Sequence, residues 1–347
     1  MEAGEVGLQL VVIRADASTQ IGSGHVMRCL TLAQRLRKEE NAHVIFIMRE
    51  LSGNLIDVAK NQGFEVLILP PAAQQYQLEG YGLWLTVPME LDAQQTKEAL
   101  QDYLKSCSSH AIDRLVVDSY AIDERWEQIL RPVCREIMVI DDLANRRHDC
   151  DVLLDQNFYL DKDSRYNGLV PKHCKMLLGP EHALLREEFY EAKKHLRKRD
   201  GNIKNILVFY GGSDFTNETE KAIRALTQLH DEGYVFTADI ITGLSNVRRE
   251  NIKELCSKHE FLHYYCQVDN MAEFMNKADL MLGAGGSTTW ERLYMELPAL
   301  VTAVAENQIQ GCIDCSQAGM IEYLGVGEDV TENIVVNAVR KKLCREF

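Results

Sequence analysis

The stretch LQLVVIRADASTQIGSGHVMRCLTLAQRL, residues 8–36, decides how the fold is interpreted. It begins with an unbroken apolar run, passes the two glycines Gly22 and Gly24, and ends in a helical pattern. From Val26 onward, apolar residues recur at the spacing of one helical face. A strand, a glycine turn and a helix in this order predict the first unit of a parallel, doubly wound sheet.

The same alternation of apolar runs and helical patterns continues along the chain. The runs are unbroken, as in strands covered on both faces, and they occupy 8–13, 43–48, 64–69, 114–119, 136–141, 151–156, 175–179, 205–210, 236–242, 261–266, 278–283 and 298–304. Helices are predicted at 92–106, 123–131, 217–230, 247–258, 269–277, 287–296 and 306–318.

A polar, charged segment, 184–205, separates the two halves and predicts a helix that leads into a linker. We therefore predict an α/β protein of two doubly wound, Rossmann-like domains that face a cleft. The predicted domains are 1–185 and 203–347, with the helix and linker at 186–202. Ligands of such sheets bind beyond the carboxyl ends of the strands, so those ends are where we look for chemistry.

Bulk composition narrows the class of partner. The formal net charge is −14 and no long basic run occurs, which argues against a general nucleic-acid surface. No apolar run is long enough to span a bilayer, and residues 1–13 lack the basic region of a signal peptide.

The ten cysteines are scattered, and Cys312 and Cys315 lack a second such pair or a nearby histidine. We expect reduced thiols in the cytoplasm and a small-molecule partner, with oligomeric state left open.

His25 is the first candidate for chemistry. It would lie in the first turn of a helix that Ser23 could cap. The partial positive charge of a helix N-terminus favours the neutral imidazole, which can accept a proton from water. The placement suits a general base, and a surface histidine beside a glycine turn explains the pattern equally well.

Two glycine-rich loops in the second half follow predicted strands. In the first, within 208–219, a strand ends at Gly211, Gly212 and Ser213, and a helix begins near Asn217. Backbone N–H groups exposed there would form an anion site, typically for phosphate, and a structural turn is the alternative.

The second loop lies within 282–308 and contains Gly285, Gly286 and Ser287. Glu291 follows in the first turn or so of the next helix, where a carboxylate could hold ribose hydroxyls or only complement the helix dipole. At the next strand end come Asn307 and Gln308. Polar residues at two neighbouring strand ends favour a ligand site over a purely structural role.

Acidic residues also stand at strand ends in the first half, namely Asp118, Asp141 and Asp142, with Tyr120 nearby. Paired aspartates can bind a divalent metal, but such residues more often cap helices and fix loops. No metal-ligand spacing accompanies them, so we expect no metal and no cofactor.

Taken in order, several stretches resemble the UDP-2,4-diacetamido-2,4,6-trideoxy-β-L-altropyranose hydrolases of pseudaminic acid biosynthesis, relatives of the GT-B glycosyltransferase that makes lipid II. The stretches cover nearly the whole chain and are RADASTQIGSGHVMRCLTLA (14–33), VVDSY (116–120), IDDLANRRHDCDVLLDQN (140–157), LGPEHALLREEF (178–189), FYGGSDFTN (209–217) and GAGGSTTWERLYMELPALVTAVAENQ (283–308).

The resemblance implies a GT-B fold, UDP bound mainly by the second domain, and release of UDP and a free sialic acid-like sugar precursor for flagellin glycosylation. His25 matches the family's catalytic histidine. The remaining assignments are substrate-binding residues (Gly24, Tyr120, Asn307 and Gln308) and UDP-binding residues (Gly211, Gly212, Ser213, Gly285, Gly286, Ser287 and Glu291).

The chemistry of a UDP leaving group fits a site with one base. UDP departs as a stable anion and needs little protonation, so a base that activates water and dipoles around the diphosphate suffice. We predict water attack at C1 with C–O cleavage and inversion. A GT-B glycosyltransferase that uses a UDP-amino sugar, and a non-catalytic UDP-sugar-binding protein, remain the alternatives.

Overall fold

The computed structural model describes residues 8–107 and 111–344. The outer ends of the two predicted domains, and the first part of the segment considered as a signal peptide, lie outside these ranges. The described chain divides into two compact units. Unit 1 runs to Asn157 and includes Asp161–Leu184, and unit 2 comprises Phe158–Leu160 and the chain from Leu185 onward.

Unit 1 contains one seven-stranded sheet with the order β3-β2-β1-β4-β5-β6-β7, in which all neighbours are parallel. Its strands are β1 (Leu10–Ala15), β2 (His43–Arg49), β3 (Glu65–Leu69), β4 (Ile112–Asp118), β5 (Cys134–Ile140), β6 (Val152–Asp155) and β7 (Lys175–Leu178). Its helices are α1 (Gly24–Glu39), α2 (Ile56–Asn61), α3 (Met89–Ser106), α4 (Glu124–Leu130) and α5 (Lys162–Arg165), with 3₁₀ turns at Gly80–Trp84, Arg131–Val133 and Pro180–His182.

Unit 2 contains a six-stranded parallel sheet with the order β10-β9-β8-β11-β12-β13. Its strands are β8 (Asn205–Phe209), β9 (Thr237–Thr242), β10 (Leu262–Cys266), β11 (Leu280–Ala284), β12 (Ala299–Ala303) and β13 (Glu322–Val326). Its helices are α6 (Glu187–Lys193), α7 (Glu218–Asp231), α8 (Arg249–Cys256), α9 (Met271–Lys277), α10 (Thr288–Tyr294), α11 (Ile309–Gln317) and α12 (Glu332–Leu343), with a 3₁₀ turn at Glu306–Gln308.

Strand β1 shows why the apolar runs are unbroken. Its side chains alternate between two hydrophobic clusters, so that Val11 and Ile13 pack with α1 while Val12 packs on the opposite face with α3 and α4. The apolar stripe predicted for α1 is buried as expected, from Val26 to Leu36. The prediction of a parallel sheet is confirmed, and so is cover on both faces for β1. The edge strands β3 and β7 contain exposed residues and are less covered than predicted.

The C-terminal part of the chain differs from the prediction. The predicted elements end at residue 318, whereas the structure adds β13 and α12 after it. Every residue of β13 is only partly buried, as suits an edge strand. An edge strand needs no continuous apolar run, which is why the pattern search missed it.

The segment 186–202 is bound to the rest of unit 2 over much of its length. Arg197 donates to the carbonyl oxygen of Asn276 at 2.6 Å, and Arg199 donates to that of Met295 at 2.9 Å. Backbone carbonyl oxygens at the ends of α9 and α10 thus accept hydrogen bonds from the two guanidinium groups of this segment. The predicted helix of this segment is α6, and the arginines that follow it are anchored to the surface of unit 2.

Two chemical expectations can be compared with the described residues. All ten cysteines lie within the described ranges and are free thiols. Among residues 8–107 and 111–344, no helix combines the length and apolarity that crossing a bilayer requires.

In each sheet, two predicted site loops follow the pair of strands at which the strand order reverses. These loops follow β1 and β4 in unit 1, and β8 and β11 in unit 2. In unit 1, β1 and β4 are neighbours but their crossovers run in opposite directions, and Ala15 pairs with Asp118. In unit 2, β8 and β11 have the same relation. Crossover helices diverge at such a switch point and leave a crevice beyond the strand ends, where doubly wound sheets bind ligands.

Candidate active site

His25 is held in the first turn of α1, as predicted. Gly22 has a φ of +79°, a left-handed conformation that favours glycine, and α1 begins two residues later at Gly24. The His25 side chain is 9% exposed. The predicted cap is wrong, because Ser23 has helical dihedrals and its hydroxyl makes no capping hydrogen bond.

The imidazole of His25 is bound to a carboxylate from the neighbouring strand. Its Nδ1 lies 2.6 Å from Oδ1 of Asp118, the last residue of β4. Burial by itself raises the pKa of Asp118, but the Arg28 guanidinium and His25 outweigh burial and hold that pKa well below its usual range. Asp118 is therefore ionised near neutral pH.

The ionised carboxylate decides the tautomer of His25. A carboxylate only accepts hydrogen bonds, so the proton of the neutral imidazole must be on Nδ1. The lone pair on Nε2 is then available to accept a proton. Asp118 also stabilises the imidazolium that forms when Nε2 is protonated, as the aspartate of a catalytic triad does. Sequence reasoning placed Asp118 at a strand end but not in the site.

Two aromatic rings contact the imidazole, and a third contacts both of them. The ring of Tyr120 contacts that of His25 edge to face at a centroid distance of 4.7 Å, and Trp84 lies at 5.7 Å. Tyr81 contacts both Trp84 and Tyr120. Sequence reasoning missed Tyr81 and Trp84, and the only signal was the aromatic content of the 3₁₀ turn at 80–84.

The hydroxyl of Tyr120 is directed into the protein. It donates to Oδ1 of Asp142 at 2.5 Å. Burial and the nearby Asp142 carboxylate raise the pKa of Tyr120 well above its usual range. Tyr120 therefore presents its ring to the surroundings of His25 and remains a neutral phenol.

The acidic residues at the strand ends have protein partners. Asp141 accepts from Arg146 at 2.7 Å and from the Ala144 backbone N–H at 2.9 Å, and Asp142 accepts from Tyr120. Within the part of the chain that the structure describes, no group of three or more potential ligands is arranged to hold a metal ion. The hydrogen bonds of Asp141 and Asp142 fit the loop-fixing interpretation of these aspartates.

Asp155, at the end of β6, gives a pH-dependent prediction. Burial, together with the charge of Asp142, raises the pKa of Asp155 to about 7. A carboxyl whose folded-state pKa is raised stabilises the fold below its unfolded pKa, and that stabilisation is lost as the pH rises toward 7. Asp155→Asn has no carboxyl at this position, so its free energy of unfolding should not fall in this way. The difference in free energy of unfolding, variant minus wild type, should therefore rise by roughly 2–3 kcal/mol from pH 5 to pH 8. Urea melts at both pH values test this.

The exposed Asp163→Asn is the matched control for Asp155→Asn. It should follow the wild type at both pH values. A stability difference between Asp155→Asn and wild type that stays constant from pH 5 to pH 8 contradicts the prediction.

In unit 2, the loop Gly211–Ser213 follows β8 and is packed closely against the loop that follows β9. Gly211 has a φ of +88°, and a Cβ on Gly243 would lie 2.6 Å from the Cα of Gly212. The hydroxyl of Ser245 donates to the carbonyl oxygen of Gly212 at 2.9 Å. The glycines are thus required for two backbones to approach each other.

Two backbone N–H groups at the N-terminus of α7 are bound by a carboxylate of the protein itself. Both carboxylate oxygens of Asp214 accept hydrogen bonds, one from the backbone N–H of Glu218 and one from that of Thr219, each at 2.9 Å. An internal carboxylate therefore occupies these two donors, and anion binding by the loop Gly211–Ser213 stays a prediction. Asp214 is the cap, because Asn217 is left-handed with a φ of +61° and makes no capping bond.

The second loop of unit 2 packs against the start of α11. A Cβ on Gly285 would overlap the Sγ of the buried Cys312, and Gly286 lies beside the Gln308 amide. Gln308 also accepts from the backbone N–H of Val304 at 3.0 Å. The structure thus brings together three of the predicted residues, Gly285, Gly286 and Gln308. Asn307 precedes Gln308 in the same 3₁₀ turn.

Gly285→Ala is predicted to destabilise unit 2, because the added methyl group meets a sulfur atom that is itself buried. We expect a loss of about 1–3 kcal/mol in the free energy of unfolding. Adding Cys312→Ala should restore most of this loss, since it removes the overlapping atom. Gly286→Ala is the matched control, because its nearest neighbour would lie 3.5 Å away. A double variant no more stable than Gly285→Ala contradicts the prediction.

Glu291 lies in helix α10, and Ser287 directly precedes that helix. The Ser287 hydroxyl makes no capping hydrogen bond. Glu291 accepts from Nε of Arg186 at 3.0 Å. Burial raises the pKa of Glu291, and the Arg186 charge opposes that rise. Arg186 was missed by sequence reasoning, which had assigned it to the linker.

No model of a protein family matches the chain. Three individual proteins are similar to it. An uncharacterised protein of Methanocaldococcus jannaschii is 26% identical over 310 residues, which are 86% of this chain and 56% of that protein. The chain thus spans little more than half the length of this relative.

The other two relatives act in the metabolism of sugars, according to their names. UDP-2,4-diacetamido-2,4,6-trideoxy-beta-L-altropyranose hydrolase of Campylobacter jejuni is 25% identical over 86% of this chain and 93% of its own length. The spore coat polysaccharide biosynthesis protein SpsG of Bacillus subtilis is 23% identical over 94% of this chain and 86% of its own length.

Solved structures agree on the fold. MurG of Acinetobacter baumannii superposes with a TM-score of 0.60 over 96% of this chain and 90% of its own, at 13% identity. A putative UDP-N-acetylglucosamine 2-epimerase of Listeria monocytogenes gives a TM-score of 0.57 over 97% and 88% of the two chains, at 12% identity. The predicted resemblance is confirmed: the chain is similar over most of its length to a UDP-sugar hydrolase, and its fold is GT-B-like.

Proposed function

We propose that this protein is a hydrolase that releases UDP from a UDP-linked diacetamido sugar by attack of water at C1. The observation that carries the proposal is the hydrogen bond between His25 Nδ1 and the ionised Asp118, which leaves Nε2 as a base. Similarity to the Campylobacter hydrolase supports the choice of reaction and substrate.

The proposed step balances with one base. A water molecule attacks C1 while Nε2 of His25 takes its proton, and the bond between C1 and the diphosphate oxygen breaks. The electron pair leaves with UDP, which is stable as an anion and needs no acid. Asp118 stabilises the imidazolium, which then returns its proton to solvent. Attack on the face opposite the leaving group inverts the configuration at C1.

The residues divide into two groups in this proposal. Gly24, Tyr120, Asn307 and Gln308 would bind the sugar, with the Tyr120 ring next to the base. UDP would be bound by Gly211, Gly212, Ser213, Gly285, Gly286, Ser287 and Glu291. The identity of the sugar, UDP-2,4-diacetamido-2,4,6-trideoxy-β-L-altropyranose, and a place in pseudaminic acid biosynthesis are proposed from the similarity to the Campylobacter hydrolase.

Glu291 gives a prediction for the nucleotide half. Glu291 lies in the first turn of α10, and its carboxylate accepts a hydrogen bond from Arg186. In this position the carboxylate can also accept hydrogen bonds from two ribose hydroxyls. Glu291→Gln should raise the Kd for UDP roughly tenfold, because hydrogen bonds to a charged group are worth about 1.5–3 kcal/mol. Titration calorimetry with UDP measures the change.

Glu296→Gln is the matched control for Glu291→Gln, since Glu296 is exposed and pairs with Lys193. It should bind UDP like the wild type. Equal UDP affinity in Glu291→Gln and wild type would remove Glu291 from the proposed nucleotide site.

The decisive experiment is a panel of UDP-diacetamido sugars incubated with the protein in oxygen-18 water without any acceptor. We expect UDP release, with the label in the sugar and none in UDP. A label in UDP would mean attack at phosphorus and would refute the mechanism. UDP release only after addition of an acceptor would identify a glycosyltransferase, and UDP-sugar binding without turnover would identify a binding protein.

A further inference from the structure

Arg28 contacts two carboxylates that belong to the surroundings of His25. Its Nε and Nη2 donate to the two oxygens of Asp118, each at 2.6 Å, and its Nη1 donates to Asp142 at 3.2 Å. The side chain of Arg28 is 9% exposed and that of Asp142 is 8% exposed. A two-point guanidinium–carboxylate contact in a largely buried position fixes direction as well as charge.

The contacts of Arg28 complete a closed ring of interactions. His25 binds Asp118, Asp118 binds Arg28, Arg28 binds Asp142, and Asp142 accepts from Tyr120. The aromatic ring of Tyr120 contacts the His25 imidazole edge to face, and this contact closes the ring of interactions. Three separate parts of unit 1, α1 and the chain at the ends of β4 and β5, are joined in this ring.

The Arg28 guanidinium places a positive charge between two negative ones. Asp118 and Asp142 are both buried, and buried carboxylates without a cation are costly. If the guanidinium were removed, Asp118 would keep its contacts with His25 and with the Cys29 thiol. Its second oxygen would lose its charged partner, so the carboxylate could rotate away from Nδ1.

We propose that Arg28 is a positioning residue, which holds Asp118 and Asp142 so that His25 keeps its Nδ1–H tautomer and Tyr120 keeps its ring against the imidazole. The role of this residue in turnover rests on the function proposed above. Its role in fixing the tautomer does not, since that can be observed in the resting protein.

The test uses Arg28→Ala and Arg28→Lys in the full chain. We expect kcat for UDP release to fall roughly 10–100-fold in Arg28→Ala with KM changed less than about threefold, as for other residues that orient a catalytic group. The kcat of Arg28→Lys should lie between those of wild type and Arg28→Ala, because lysine keeps the charge but not the two-point contact. Added guanidinium ion should restore part of the kcat of Arg28→Ala, which a merely structural defect would not allow.

Arg35→Ala is the matched control, because Arg35 lies on the same helix with its side chain 54% exposed. It should match the wild type and show no response to guanidinium. Nitrogen-15 spectra of labelled histidine give a readout apart from activity, with Nδ1–H on His25 in wild type and a mixture of tautomers in Arg28→Ala.

The outcomes separate the two proposals. If the wild type releases no UDP from any sugar tested, the proposed function fails while the histidine spectra still test Arg28. An unchanged tautomer in Arg28→Ala, or a kcat within about threefold of wild type, overturns the role of Arg28. If Arg28→Ala does not fold, the test of the proposal is made on Arg28→Lys. A wild-type tautomer of His25 and a wild-type kcat in that variant overturn the proposal.

Discussion

His25→Asn is expected to lower kcat for UDP release by roughly 10²–10⁴-fold, the usual contribution of a positioned general base. The asparagine side chain retains hydrogen-bonding capacity in this position but cannot accept a proton near neutral pH. KM should change little, because the base acts on the attacking water and binds none of the nucleotide. Steady-state assays of UDP release, with the variant's thermal unfolding checked against the wild type, measure the effect.

The exposed histidine His263 provides the control for His25. His263→Asn should retain wild-type kcat and KM. A folded His25→Asn protein with near-normal turnover would remove the imidazole from the mechanism. A fall of only about tenfold would instead indicate that His25 orients the water without taking its proton.

Asp118→Asn should be nearly as damaging, with kcat lowered by roughly 10²–10⁴-fold. An amide can present its NH₂ group to Nδ1, and the imidazole proton then moves to Nε2, where it blocks the lone pair that water needs. The variant also deprives Arg28 of its carboxylate partner, so unit 1 should lose stability. Histidine nitrogen spectra together with kcat distinguish a tautomer change from a loss of fold.

Asp102→Asn is the control for Asp118→Asn, since Asp102 is exposed and pairs with Lys105 one helical turn away. It should leave kcat unchanged, because exposed ion pairs contribute little. Normal turnover in a folded Asp118→Asn protein would contradict the assignment of Asp118 as the residue that orients His25.

The secondary structure was largely predictable because its signals are local. The apolar runs of β1 to β12 and the stripe of α1 are short-range patterns. Burial on both faces follows for central strands such as β1 and β11, but not for the edge strands β3 and β7. The position of His25 in the first turn of α1 was predictable for the same reason. By contrast, β13 has a half-buried edge pattern that carries no such signal.

The capping prediction for α1 failed for a different reason. Ser23 and Ser287 have the residue type that favours a helix start, but neither hydroxyl makes a capping bond. At α7, Asp214 accepts from two backbone N–H groups of the helix, although Asn217 is the residue directly before it. Several nearby side chains compete for the same few backbone N–H groups, and the loop geometry selects among them.

By itself, the sequence determined that this chain forms two parallel-sheet units and that a histidine follows the first strand at a helix start. The tertiary structure alone decided which tautomer that histidine has, because Asp118 lies 93 positions away in sequence and reaches it only through the pairing of β1 with β4. The same holds for Arg186, which meets Glu291 across 105 positions. Local patterns depend on neighbouring residues and can be predicted from them, whereas these charge contacts depend on strand order and register.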